Sequence, residues 1–343
     1  MSIAPVAHPA VGDRYPRLLR TPTWRWWRPL LGLVFATAVV VVASIGVILA
    51  ALAVRAATGG SVDLGGGTGN GSGGDALDPG TPLGLLANNL VLATIIPAAV
   101  LAVLVVHREP VGILASVGGR IRWRVLLLLT PLALVLVALG VGLSLLVPAD
   151  DNGNTTHTPS AGTLVGLLAV ILVTTPLQSA GEEVGFRGYL NQAVSSWFAR
   201  PAVGIAAGGA VSAVCFALAH GLQDVPLFAD RLSFGAVAAW LVWRTGGLEA
   251  SVALHAANNL VSLVLAAVTG ALSDTLSAST LGWPFALLDV TMMVAYAGVV
   301  HVLAGRWQLQ TVRALSAPAA IGYPGARPST PPPAGGVDPW GMG

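Results

Sequence analysis

The chain has 343 residues, of which 55% are hydrophobic and only 9% charged, with a formal net charge of +2. Its mean hydropathy of +0.77 excludes an ordinary water-soluble domain and a disordered chain, neither of which carries so much apolar surface. The apolar residues come in runs of roughly 18–25, long enough to cross a hydrocarbon core of about 30 Å as helices. Short alternating segments, the mark of a membrane β-barrel, are missing. The sequence therefore predicts an all-α fold, a polytopic transmembrane helical bundle of about eight spans.

Residues 1–28 read as a basic cytoplasmic tail, with Arg14, Arg17, Arg20, Arg25 and Arg28 set among Trp24, Trp26 and Trp27. Arginine and tryptophan together suit a membrane interface. Residues 29–160 hold three spans, expected over 30–54, 84–106 and 125–147. Ala51-Leu52-Ala53 has the form of a signal-peptide cleavage site, but the apolar run before it is longer than the ~7–15 residues of such a peptide. The Gly- and Ser-rich stretch 58–83, including Gly71-Ser72-Gly73, cannot bury a core and reads as an outer loop. A basic loop with Arg108, Arg120, Arg122 and Arg124 follows the second span.

Residues 161–305 form the helical core. A fourth span starts near Leu164 and runs into Glu182; four more are expected over 204–222, 232–245, 248–269 and 285–304. Residues 306–343 are Pro- and Gly-rich and read as a disordered cytoplasmic tail. With the N-terminus inside, all arginines but Arg55 and Arg231 fall on the inner side, while Asp63, Asp75, Asp78, Asp150, Asp151, Asp224, Asp230 and Asp274 fall outside. That is the positive-inside pattern. It predicts a multi-pass protein of the cell membrane with both termini cytoplasmic, and it accounts for the positive charge without a nucleic-acid partner. All 17 basic residues are arginine, which with abundant Ala, Gly and Val points to a GC-rich bacterial genome. The single cysteine, Cys215, rules out an intrachain disulfide and a thiolate metal cage.

Three polar constellations interrupt the apolar helices. The first is Glu182-Glu183-x-x-x-Arg187. Glu183 and Arg187 are four apart, so they share a helix face and can pair. Glu182 points about 100° away, which leaves it the freer carboxylate and a candidate general base. The second is Phe216-x-x-x-His220, and the third is His255-x-x-x-Asn259, again four apart and expected to face one cavity. Histidine moves protons near neutral pH or binds metal, and an Asn N–H suits an oxyanion. Ionisable groups at membrane depth are costly and mark functional sites. Other polar residues invite plainer readings: His107 and His157 in loops, His301 and Glu249 at the interface, Asp289 without a nameable partner.

Glu-Glu-x-x-x-Arg, Phe-x-x-x-His and His-x-x-x-Asn, in that order and each in an apolar helix, resemble the CPBP family of intramembrane proteases. That family includes the CAAX prenyl endopeptidases and bacterial members linked to bacteriocin processing or immunity. The resemblance covers about residues 160–270. It implies catalytic roles for Glu182, Glu183, His220, His255 and Asn259 and a structural role for Arg187. It implies hydrolysis of a membrane-associated peptide or protein in contact with the lipid bilayer, by a water that Glu182 and His220 activate. Zn2+ held by Glu182, His220 and His255 fits these residues, and so does a metal-free glutamate mechanism. A zincin His-Glu-x-x-His is absent from the sequence. The non-proteolytic alternatives are a membrane scaffold or immunity-type protein and, further off, an ion-coupled transporter.

The expected boundaries carry a conflict of depth. At 1.5 Å per residue, Glu182 lies near the inner face, His255 about 12 Å in from that face, and His220 nearer the outer one. A fourth helix continuing toward Phe198, or a fifth broken at Gly208-Gly209, would reconcile them.

Overall fold

The computed structural model describes residues 12–60, 77–147 and 159–313. The expectations for the Gly-rich loop around Gly71-Ser72-Gly73, for Asp63, Asp75, Asp150, Asp151 and His157, and for the proline-rich tail lie outside the described residues. Eight helices are long and apolar enough to cross a membrane. They are α1 (Arg28–Ala57), α2 (Pro82–His107), α3 (Trp123–Ser144), α4 (Ala161–Ser196), α5 (Pro201–Leu218), α6 (Val225–Thr245), α7 (Glu249–Thr269) and α8 (Trp283–Arg306). The predicted all-α bundle is what forms, because in hydrocarbon only a helix satisfies its backbone within its own segment.

Side-chain caps set several of the starts. Thr81 Oγ1 accepts from Gly84 N before α2, Ser160 Oγ from Thr163 N before α4, and Asp224 Oδ1 from Leu227 N before α6. The cap at Asp224 starts α6 at Val225 rather than near 232, so Asp230 and Arg231, expected in an outer loop, lie on the helix. Gly246 ends α6 in the left-handed region at φ 74°, which frees the chain to restart as α7 three residues later.

α7 sits centrally, packed on α3, α4 and α6, with α8 against α3 and α6, and α2 against α4. The main core joins Leu129 and Val137 of α3, Phe216 of α5, Phe234 of α6, Leu254 of α7 and Tyr296 of α8. α1 packs chiefly on α2 and turns Val34, Val42 and Leu49 outward, as a lipid-facing helix should.

At 36 residues, α4 is about 54 Å long, well beyond a hydrocarbon core. It runs on to Ser196, the chain turns over residues 197–200, and α5 climbs back along it. Ser212 Oγ of α5 donates to Phe186 O of α4 at 2.8 Å. The two backbones approach closely at Gly204 and Gly208, where an added Cβ would stand 2.6 Å from Ser195 O and 2.5 Å from Asn191 O. Glycine at this spacing is the usual solution for tight helix crossings in membranes. The turn end carries the arginines and tryptophans: Arg17 donates to Phe198 O (3.0 Å), Trp24 Nε1 to Ser196 Oγ (2.9 Å) and Trp197 Nε1 to Trp26 O (2.8 Å).

Two plain readings are corrected here. His107 is not in a loop; it closes α2, is buried, and its Nε2 lies 3.0 Å from Tyr189 Oη. Glu249 is not an interfacial group; it is buried and takes both Nε and Nη2 of Arg122, at 2.9 and 2.6 Å. In each case the partner is distant in sequence. Asp289 of α8 lies close to Asp230 of α6.

Candidate active site

The site is assembled where α4, α5, α6 and α7 meet. Glu182 and Glu183 end the regular part of α4, and Val184–Leu190 continues it as a π-type turn. Such widened turns recur at functional sites. The conflict of depth disappears with the true helix ends. Because α4 extends to Ser196, Glu182 stands about as far above the turn as Phe216 does on the returning α5. His220 is one turn further on, in the turn just past the end of α5 rather than inside it.

Glu183 and Arg187 are both fully buried and pair at 2.8 Å. The guanidinium lies 4.3, 5.5 and 5.9 Å from the ring centroids of Phe216, Phe234 and Phe186, so cation–π attraction replaces part of its lost hydration. His255 joins the same carboxylate oxygen, with Nδ1 2.9 Å from Glu183 Oε1. A carboxylate only accepts, so Nδ1 carries the proton. Nε2 of the same ring then faces Glu182 Oε2 at 3.6 Å.

Glu182 is 6% exposed and His255 3%. Glu182 Oε1 accepts from Gln178 Nε2 at 2.5 Å. Asn259 Nδ2 donates in turn to Gln178 Oε1 (3.0 Å) and Ser179 Oγ (3.3 Å). The chain Asn259–Gln178–Glu182 fixes one oxygen of the carboxylate. Oε2 has no hydrogen-bond partner among the described residues. His220 is exposed, and its Nδ1 lies 2.8 Å from Phe216 O. The carbonyl makes Nδ1 the donor, which leaves Nε2 with its lone pair free.

The structure thus brings Glu182, Glu183, Arg187, His255 and Asn259 into one buried network, with His220 on its open side. It divides the His255/Asn259 pair, expected to face a single cavity, between Glu183 and Gln178. Asn259 Nδ2, expected to serve an oxyanion, is hydrogen-bonded here to Gln178 Oε1 and Ser179 Oγ. Glu182, His220 and His255, the set considered for Zn2+, do not close around one ion. Zinc bonds to N and O run about 2.0–2.2 Å, and among the described residues no group of three or more His, Cys, Asp or Glu is placed to hold a metal.

Sequence reasoning missed Gln178. Gln178 lies four residues before Glu182, a helical spacing that was available as a signal.

Residues 164–261 match the family described as Rce1-like, type II CAAX prenyl endopeptidase. A curated protein of Bacillus subtilis (strain 168), the uncharacterized protein YyaK, is 27% identical over 179 residues. That alignment covers 51% of this chain and 59% of the relative, so the chain spans rather more than half the length of the curated protein it matches. No solved structure matches the chain. The stretch that matches the Rce1-like, type II CAAX prenyl endopeptidase family thus contains Glu182, His220, His255 and Asn259.

Proposed function

We propose that this multi-pass protein is an intramembrane endopeptidase in which Glu182 activates the attacking water. The observation that carries the reading is the asymmetry of the Glu182 carboxyl: Oε1 is held by Gln178, while Oε2 is left without a protein donor. A fixed carboxylate with one uncommitted oxygen beside an imidazole is suited to general-base work.

A water positioned by Glu182 Oε2 gives its proton to that oxygen as it attacks the scissile carbonyl carbon, and the carbonyl oxygen takes the negative charge. Collapse of the tetrahedral adduct breaks the C–N bond. His220, with its Nε2 lone pair on the open side, passes the proton on to the departing amine. His255, anchored through Nδ1 to Glu183, holds its ring against the Glu182 side of the site. Glu183 and Arg187 hold the segment together. The substrate class is a membrane-associated peptide or protein, and we place both termini on the cytoplasmic side, with the arginine-rich end of the bundle.

The test compares membrane proteomes from cells carrying the parent, E182Q or H220A, read for new C-terminal fragments, with thermal unfolding of each purified variant. Loss of cleavage by about 10²–10⁴-fold in folded protein, with at most a small fall in melting temperature, is expected. Wild-type cleavage by E182Q overturns the mechanism. Intact cellular function with E182Q would point to a scaffold, and altered ion flux without fragments to a transporter. The donor geometry leads us to expect activity that survives chelation; loss on chelation and recovery with Zn2+ would require His220 and His255 to close on the ion.

A further inference from the structure

The turn end of the bundle holds a cavity of about 510 Å³ in which none of the residues assigned to the chemistry takes part. One side of it is cationic and the other apolar. Arg14 and Arg17, from the segment before α1, meet Ala202, Ile205 and Ala206 of α5 and Trp243 of α6 there. Ile205 and Ala206 follow Ala202 by three and four residues, so the three form one stripe that leads from the start of α5 toward the hydrocarbon.

Arg17 is only 5% exposed. Its Nη1 donates to Phe198 O at 3.0 Å and to Ser195 O at 3.4 Å, which holds the guanidinium in place. Its Nε is buried without a hydrogen-bond partner; Asp13 Oδ1 stands 3.8 Å from it, beyond hydrogen-bond distance. A buried N–H left unpaired is costly, and an arginine that merely reached for the interface would turn its donors to water. The Arg14 guanidinium lies over Trp243, 5.0 Å from the ring centroid, and no carboxylate is within ion-pair distance of it among the described residues. Asp13 also lines the cavity, so two guanidinium groups face one carboxylate. No side chain caps the start of α5, and the N–H groups of its first turn add the positive end of the helix dipole.

We propose that this cavity binds an anionic phospholipid, with its phosphate on Arg14 and Arg17 and the start of an acyl chain along Ala202, Ile205 and Ala206. Guanidinium matches phosphate through paired N–H donors, and tryptophan beside arginine is the composition of headgroup depth. The site is independent of the endopeptidase reading.

The experiment measures, by native mass spectrometry of the detergent-purified full chain, retention of phosphatidylglycerol against phosphatidylcholine, with melting temperatures alongside. The parent should prefer phosphatidylglycerol. R14A is expected to weaken its binding about five-fold, the effect of one arginine at an anionic surface, and R17Q about ten-fold, with phosphatidylcholine unaffected. D13N removes the opposing carboxylate and should strengthen binding about three-fold. A206W fills the stripe and should exclude the lipid. Inorganic phosphate should displace no more lipid than chloride at the same ionic strength. Equal retention of the two lipids overturns the proposal, and so does parent-like binding by R14A. Specific displacement by inorganic phosphate, or undiminished binding by A206W, would make this a site for free phosphate and overturn the lipid assignment. If R17Q unfolds, R14A and D13N decide: opposite shifts in two folded variants support the proposal, and shifts of one sign or none overturn it.

Discussion

Glu183 Oε1 receives both Arg187 and His255, at 2.8 and 2.9 Å, and so ties the acidic turn of α4 to α7. Only half of this was legible in the sequence. The Glu183–Arg187 pair follows from helical spacing alone, but no local rule could show that the third partner is 72 residues away. The consequence for stability is large, because removing one member of a buried ion pair strands the other charge. R187M is expected to destabilise the protein by about 3–5 kcal/mol, read as a lowered melting temperature in detergent. E182Q should lower that temperature far less, since Oε2 accepts no hydrogen bond among the described residues and an amide oxygen can still accept from Gln178. The two substitutions thereby separate the structural glutamate from the chemical one.

At the scale of elements, the α4–α5 hairpin decides the depth of everything in the site. Its crossing depends on Gly204 and Gly208, because a Cβ at Gly208 would stand 2.5 Å from Asn191 O. G208L is expected to force the helices apart at a cost of about 1–3 kcal/mol, and to lower cleavage as His220 is displaced from Glu182. G209L is the control, with only Ala239 Cβ near, at 3.4 Å. The connection between α2 and α3 offers a test by pH. Glu109 is 2% exposed, with Thr23 donating to Oε1 at 3.1 Å and Oε2 unpartnered among the described residues. Burial pushes its carboxyl up, and hydrogen bonds from Thr21 and Thr23 and the charge of Arg28 oppose the rise only in part. A folded value above the unfolded one means that the charged form is penalised at neutral pH. The penalty fades as pH falls through the folded value and is gone below the ordinary carboxylate range of about 4.3. E109Q should therefore raise the melting temperature at pH 7.5, with the difference shrinking steadily on acidification. A constant difference would show that burial of the charge is not its cause.

Across the whole molecule, the number and order of the spans were written in the sequence. Some 20 apolar residues without charge have no other stable form in a bilayer, and the motifs named the residues worth watching. The structure alone decided how those residues divide. Asn259 turned out to hydrogen-bond Gln178, His220 fell in a turn rather than within a helix, and Arg231 came onto α6 from an expected loop. The reason is physical. Composition and periodicity report on what each segment does against lipid or against its own backbone, within a few residues along the chain. Which buried donor meets which buried acceptor is settled by helices packing at glycine crossings and stacked rings, between residues tens of positions apart.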